Sequence, residues 1–367
     1  MRGSACLVVF FLLVLFAGPV YAHPRPQVTA KAAVLVDADS GVVYYDKNGE
    51  RRREPASLTK VMTCILALEL ADPDEEVEVS ARTAATWIGS CIGLRRGEVL
   101  KLEELVKAAL ICSANDATVA IAEGVAGDYD TFILWMNAKA VLLGMKKTRF
   151  GNTHGLPHPN HYTTAKDLSV LARYALLNPR FASVVRMPQA AIHWIKPVRE
   201  VEVGNTNRLL QSSSFPGVTG VKTGTTSRAG KCLIASASRG PRSLIAVVLG
   251  SYSRYGDAVG LLSWGFEELK KSTVCHRGEY YTRTRVRKGR AYDVPLVADR
   301  DVILSLPREE RYLLQKELVL FRPPVAPVRP GERLGEVVFT WRGQELGRAE
   351  LVAGERVDKL PWYRFWH

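Results

Sequence analysis

At 367 residues, with 47% apolar and 24% charged side chains, the chain is long enough for two buried cores and too apolar to be disordered throughout. Its formal charge of +13 would point to nucleic acid in a cytosolic protein. The first segment removes that reading. A basic start at Met1-Arg2, an apolar run over 7–17 too short to span a bilayer, and short side chains at Val20 and Ala22 describe a secretory leader, cut after Ala22. Outside the cytoplasm the charge suits anionic partners such as wall polymers or lipid headgroups. It is densest at Arg51-Arg52-Arg53 and across Arg283, Arg285, Arg287, Lys288 and Arg290; a solvated basic face is the alternative. Past Cys6, the cysteines at 64, 91, 112, 232 and 275 are odd in number and contain no C-x-x-C pair, which fits neither a disulfide framework nor a zinc site. Cys64, Cys112 and Cys232 lie in apolar runs as buried thiols, and one bridge stays open.

After the leader, β-prone runs over 32–36 and 42–45, split by Asp37-Ala38-Asp39-Ser40-Gly41, form a hairpin. Pro55 then opens a helix that carries Ser57 and Lys60 and runs apolar to Leu70. A serine and a lysine three apart share a helix face, so an amine stands one turn from a hydroxyl, the arrangement a serine needs to become a nucleophile without histidine. A capping box would place Glu or Gln where Lys60 stands, because a helix N-terminus is partly positive. Taken alone, the pair also fits a helix cap beside a solvated lysine.

A short strand over 76–79, an irregular stretch over 82–97 and an amphipathic helix over 102–111 come next. Ser113-Ala114-Asn115-Asp116 ends that helix, with Asp116 capping a helix over 117–125 and Ser113 and Asn115 projecting from the turn; another helix covers 129–143. The loop over 150–162 carries His154, His158 and His161, but its prolines forbid a helical ligand face and no carboxylate or cysteine completes a metal set. A helix over 164–176 leads to strands over 190–195, 201–203, 217–223, 231–238 and 243–250, then a helix over 256–269. At Lys222-Thr223-Gly224-Thr225 a strand-end glycine lets another backbone approach closely, as a peptide laid along a sheet edge would; a strand entering a turn is the plain alternative. Short β-prone runs over 280–286, 302–306, 318–321, 336–341 and 348–352 make a small β-rich domain over 275–358, followed by an aromatic and basic tail over 359–367.

Three patterns that are weak singly, Ser57-x-x-Lys60, Ser113-x-Asn115 and Lys222-Thr223-Gly224, are specific in this order, although Ala114 stands where class A β-lactamases have aspartate. With Pro55-Ala56-Ser57-Leu58-Thr59-Lys60-Val61-Met62-Thr63, Phe150-x-Asn152-x-His154-Gly155-Leu156-Pro157 and Gly220-Val221-Lys222-Thr223-Gly224-Thr225, the chain resembles the low-molecular-weight penicillin-binding proteins of the serine D-alanyl-D-alanine carboxypeptidase family. The similarity covers about 32–271, with a family-like β domain after it. It implies an α/β (α+β) catalytic domain over 23–274 of the β-lactamase/DD-peptidase type, an antiparallel sheet flanked by helices plus a helical region, followed by a small all-β domain.

The resemblance also implies a reaction: removal of the terminal D-alanine from peptidoglycan stem pentapeptides through a Ser57 acyl-enzyme, with β-lactams as covalent inhibitors, no metal, no cofactor and no nucleic acid. In that scheme Ser57 attacks, Lys60 takes its proton, and Ser113 with Lys222 returns one to the leaving D-alanine. Asn115 holds the substrate amide and Thr223 and Thr225 bind the terminal carboxylate. The oxyanion hole uses backbone N–H groups of Ser57 and of the strand just after Gly224, around Thr225. Lys60 must then be neutral part of the time; bringing a lysine down by three units costs on the order of 4 kcal/mol, within reach of burial, a helix N-terminus and a second cation. A serine β-lactamase of class A needs a glutamate for deacylation, and the 150–162 loop holds neither Glu nor Asp. A DD-endopeptidase stays open, and a non-catalytic wall-binding protein would not need the whole set. The aromatics and arginine of the tail suit weak, salt-sensitive contact with a membrane surface, on the outer face of the cytoplasmic membrane or in the wall.

Overall fold

The computed structural model describes residues 25–213 and 215–361; the expected leader over 1–22 and all but the first three residues of the expected 359–367 tail lie outside the described residues. A hairpin of β1 (Ala32–Asp37) and β2 (Val43–Lys47) leads through one 3-10 turn, Ala56–Thr59, into α1 (Lys60–Leu70). A helical region follows: β3 (Glu76–Glu78), the one-turn α2 (Ala81–Ala84), β4 (Val99–Lys101), α3 (Leu102–Leu110), α4 (Asn115–Ala126) and α5 (Tyr129–Leu142). Then come α6 (Ala165–Leu176), α7 (Pro179–Val185) and a hairpin of β5 (Gln189–Trp194) and β6 (Arg199–Gly204). Three long strands, β7 (Val218–Thr226), β8 (Gly230–Arg239) and β9 (Arg242–Ser251), and the helix α8 (Arg254–Glu268) complete the first part.

The five long strands form one antiparallel sheet in the order β2-β1-β9-β8-β7, so β7 is an edge. Side-chain alternation sorts the sheet's two faces. Val34, Ile234, Val247 and Leu249 join the core beneath α1 and α6, while Leu35, Leu233, Ala246 and Val248 join the core beneath α8. With helices on both faces, these strands read as unbroken apolar runs. Helix α1 is buried from Lys60 to Ala67, which accounts for a sequence with no polar face.

The remaining chain is all β: β10 (Leu269–Cys275), β11 (Tyr280–Arg285), β12 (Asp293–Ala298), β13 (Val302–Pro307), β14 (Leu314–Leu320), β15 (Arg333–Trp341) and β16 (Gln344–Ala353). Strand β10 pairs with β13, and the other five form the order β11-β12-β16-β15-β14. This part docks on the first through Tyr44 and Trp341, whose rings lie 6.4 Å apart, and through the Val43 N–H donated to Gln344 Oε1. The helix after β9, expected over 256–269, ends at Glu268, and β10 follows from Leu269. One expectation changes. Asp116 is not the N-cap, because the helix begins one residue before it, at Asn115. Its carboxylate accepts the N–H of Ala117 in that first turn and also the N–H groups of Ile92, Gly93 and Leu94, and so ties the irregular loop to the start of α4.

Candidate active site

Ser57 sits on the 3-10 turn, with the helix proper beginning at Lys60. Its neighbour Ala56 has φ +50°, a left-handed conformation that costs a non-glycine residue of order 1 kcal/mol and persists only where the surroundings enforce it. Two glycines enforce it here by admitting close contact. A Cβ on Gly155 would lie 1.8 Å from the Ala56 carbonyl oxygen, and one on Gly224 would lie 2.9 Å from the Ser57 nitrogen. Gly224, which lies inside β7, therefore admits another backbone, and that backbone is the turn that carries Ser57.

A third restraint is a directional hydrogen-bond chain. Gly151 N–H donates to His161 Nδ1 at 2.9 Å, which leaves the ring proton on Nε2. Nε2 then donates to Thr59 Oγ1 at 2.8 Å, and Thr59 donates its hydroxyl proton to the Ala56 carbonyl at 2.8 Å. Burial, with a smaller push from His158, lowers His161 to about 4, so the chain holds its direction at neutral pH. His154 is likewise lowered, to about 3, by burial and then by Lys60. The histidine-rich loop thus acts as scaffolding; among the described residues no three His, Cys, Asp or Glu side chains converge as metal ligands.

Lys60 is wholly buried, and its Nζ makes three contacts: Ser57 Oγ at 3.0 Å, Asn115 Oδ1 at 2.7 Å and the His154 carbonyl at 2.9 Å. Asn115 is itself oriented, since its Nδ2 donates to the Ile88 carbonyl. Two of the three partners can only accept. A neutral amine has two N–H bonds and one lone pair, so those bonds go to Asn115 and His154 and the lone pair faces the Ser57 hydroxyl. Burial first, and the charge of Lys222 second, lower the Lys60 pKa well below the usual lysine range.

Lys222, on edge strand β7, is 1% exposed, and burial lowers its pKa from 10.5 to about 8. Its Nζ donates to the Thr223 carbonyl at 3.3 Å. The thiols of Cys64, Cys91 and Cys112 surround the two lysines, but burial raises all three, Cys64 to about 12, so none is an anion at neutral pH. Cys64, Cys91, Cys112, Cys232 and Cys275 are free thiols. Ser113 occupies the α3–α4 turn with φ +69°, buried, directly after Cys112, whose sulfur lies within the field of Lys222. Ser57, Lys60, Asn115, Lys222 and Gly224 are therefore brought together from three separate segments, with Ser113 on the turn between Cys112 and Asn115.

Arg254, absent from the sequence-based set, closes the far end. Its Nη1 donates to Thr225 Oγ1 at 2.9 Å and to the Gly224 carbonyl at 3.1 Å. Thr223 Oγ1 donates to Thr206 Oγ1 at 2.7 Å, and the Tyr255 hydroxyl donates to the Thr206 carbonyl. Nothing local marks Arg254 in the sequence. It reaches Thr225 because β9, which it follows, lies two strands from β7 in the sheet. The arrangement offers a hydroxyl facing an amine lone pair, and beside it a pair of cations, Lys222 and Arg254, next to threonine hydroxyls: a nucleophile with a docking point for an anionic chain end.

Known proteins carry the same plan. The profile of the D-alanyl-D-alanine carboxypeptidase family matches residues 20–253, and that of the penicillin-binding protein 5 C-terminal domain matches 269–359. The chain is 32% identical to the D-alanyl-D-alanine carboxypeptidase DacF of Bacillus subtilis over 99% of this chain and 96% of that protein. It is also 32% identical to DacC of Escherichia coli over 100% of this chain and 94% of the relative. The crystal structure of DacD from Francisella tularensis superposes with a TM-score of 0.73 at 26% identity, covering 91% of this chain and 95% of that one. Penicillin-binding protein 5 from Haemophilus influenzae superposes at 0.70 with 29% identity, covering 91% and 99%.

Proposed function

The chain belongs to the D-alanyl-D-alanine carboxypeptidase family, and from that premise we propose that Ser57, Lys60, Ser113, Asn115, Lys222, Thr223, Gly224 and Thr225, joined by Arg254, are its working site. The protein is a serine-type D-Ala-D-Ala carboxypeptidase. The observation that carries the assignment is the buried Lys60 Nζ within hydrogen-bond distance of Ser57 Oγ, its other two partners being obligate acceptors that leave the lone pair of a neutral amine for Ser57.

The substrate's terminal carboxylate docks against Thr223, Thr225 and Arg254, which accounts for a requirement for a free chain end. Edge strand β7 and the Asn115 amide hold the penultimate residue in extended form. Ser57 Oγ attacks the D-Ala-D-Ala carbonyl as its proton passes to Lys60 Nζ, and the N–H groups of Ser57 and Thr225 receive the developing oxyanion. The C–N bond breaks as Ser113, coupled to Lys222, delivers a proton to the leaving amine, releasing D-alanine and the Ser57 ester. The proton that Lys60 took passes to Ser113 and Lys222 to replace the one given up. A neutral Lys60 then takes the proton of the water that attacks the ester and returns it to Ser57 Oγ as the shortened stem peptide leaves. A β-lactam ring enters the same path and stops at the ester.

Peptidoglycan stem peptides lie outside the cytoplasm, which fits an exported protein; no helix among the described residues is long and apolar enough to cross a membrane. Weak surface contact through the 359–367 tail fits its aromatics and arginine. The assignment is tested by fluorescent penicillin labelling together with D-alanine release from a pentapeptide. Wild type does both and Ser57→Ala does neither; D-alanine release by Ser57→Ala would overturn it.

A further inference from the structure

The loop between α2 and β4 holds two large apolar side chains in the open, Trp87 at 65% exposure and Ile88 at 67%. Its backbone is fastened on both sides of them. The Thr86 N–H donates to the Thr83 carbonyl at 3.0 Å, and the Cys91 thiol donates to the Thr86 carbonyl at 3.2 Å. The Ser90 carbonyl accepts the Asn115 N–H at 2.7 Å, and the Asp116 carboxylate grips Ile92, Gly93 and Leu94. A fixed backbone therefore presents an indole and a branched aliphatic group to solvent, already ordered for whatever binds there.

The loop meets the site at Asn115. Asn115 Oδ1 accepts from Lys60 Nζ at 2.7 Å, and one N–H of its Nδ2 goes to the Ile88 carbonyl. Gly89 makes room for that contact, since a Cβ there would lie 2.8 Å from Asn115 Nδ2. The second N–H of Nδ2 is the one left for a substrate amide. Acceptors on the two N–H bonds of one planar amide nitrogen stand about 5 Å apart, so a substrate carbonyl held by Asn115 sits about that far from the Ile88 carbonyl oxygen. That carbonyl belongs to the residue on the amino side of D-Ala-D-Ala, because β7 and Asn115 hold the penultimate residue between them. Thr225 and Arg254 take the carboxylate end, which leaves the loop to the amino side.

We propose that Trp87 and Ile88 form a subsite for the side chain of the residue preceding D-Ala-D-Ala and select a long aliphatic one there. The inference rests on the role assigned to Asn115 above. A four-carbon stem crosses a gap of this size and lies along the indole face, with its polar end left in water. Two side chains are too small a patch for a protein partner, which needs about 1,000 Å² or more of buried surface, and they match a single side chain of a ligand.

D-alanine release from two peptides that differ only at this residue, Nα,Nε-diacetyl-L-lysyl-D-Ala-D-Ala and N-acetylglycyl-D-Ala-D-Ala, tests the subsite. Wild type favours the lysine peptide at least about tenfold in kcat/KM. Trp87→Ala lowers kcat/KM for the lysine peptide about tenfold, mostly in KM, and changes the glycine peptide less than about threefold; Trp87→Phe keeps most of the preference. Fluorescent penicillin labelling confirms that each variant is folded, and Trp87→Gln carries the test if Trp87→Ala misfolds. A wild type that acts equally on both peptides, or a Trp87→Ala that keeps the preference, overturns the proposal. So do equal losses on both peptides, which would mean that the loop only positions Asn115. A wild type that releases D-alanine from neither peptide overturns the proposed site as well, and activity on the glycine peptide tells that outcome from the others.

Discussion

Replacing Lys222 with methionine should stabilise the protein while removing its activity. Burial lowers the Lys222 pKa from 10.5 to about 8. At pH 7 the lysine is charged in both the folded and unfolded chain, and holding that charge in the interior costs the pKa difference, 2.5 units at 1.36 kcal/mol each, or about 3 kcal/mol. Methionine has nearly the same length and no charge, and it also relieves Lys60 of a neighbouring cation. Lys222→Met should therefore raise unfolding stability at pH 7 by up to about 3 kcal/mol, near 5 °C in Tm for a chain of this size. The sign is checked by pH. Between about 8 and 10.5 the unfolded lysine stays protonated while the folded one is neutral, so wild type gains stability as pH rises and the advantage of methionine shrinks toward zero above 10.5. Urea titrations at pH 7 and pH 10, with penicillin acylation measured alongside, test both halves. A variant no more stable than wild type at pH 7, or an advantage equal at both pH values, would refute the reasoning.

Acylation should gain rate with pH through a Lys60 ionisation well below the ordinary lysine range and lose it above about 8 as Lys222 discharges; stopped-flow acylation rates across pH check this, and a rising limb near 10.4 contradicts it. Gly224→Ala should slow acylation at least about 100-fold, because the new methyl sits 2.9 Å from the Ser57 nitrogen and 3.0 Å from Ala56 Cβ and must move the nucleophile's backbone; near-normal penicillin labelling rates would count against it. Arg254→Ala should cost roughly 10 to 100-fold in kcat/KM for peptides with a free carboxylate, mostly in KM, as expected for one lost charge-assisted bond. Steady-state D-alanine release measures that, and a change under about threefold would remove Arg254 from the carboxylate site.

The main strands and helices were legible because the signals are local: short unbroken apolar runs bounded by turn residues in β1, β8 and β9, a longer one in α1, and the Pro55 that opens its turn. What misled was also local. Asp116 has the composition of an N-cap, but a carboxylate bonds whichever N–H groups the tertiary structure brings to it, and here residues 92–94 join Ala117 of its own helix.

By itself, the sequence determined the order and spacing of Ser57, Lys60, Ser113, Asn115, Lys222 and Gly224, and with them the family and the chemistry available. Only the tertiary structure decided how that chemistry is poised. The direction of the Lys60 lone pair depends on Asn115 and His154, 55 and 94 residues away, and the strained Ala56 depends on His161 through Thr59, 102 residues away. Arg254 meets Thr225 through the strand order β9-β8-β7. Periodicity records which face of an element is buried. Hydrogen-bond direction and burial of charge are set between elements, and they decide which nitrogen has a free lone pair and which lysine can be neutral.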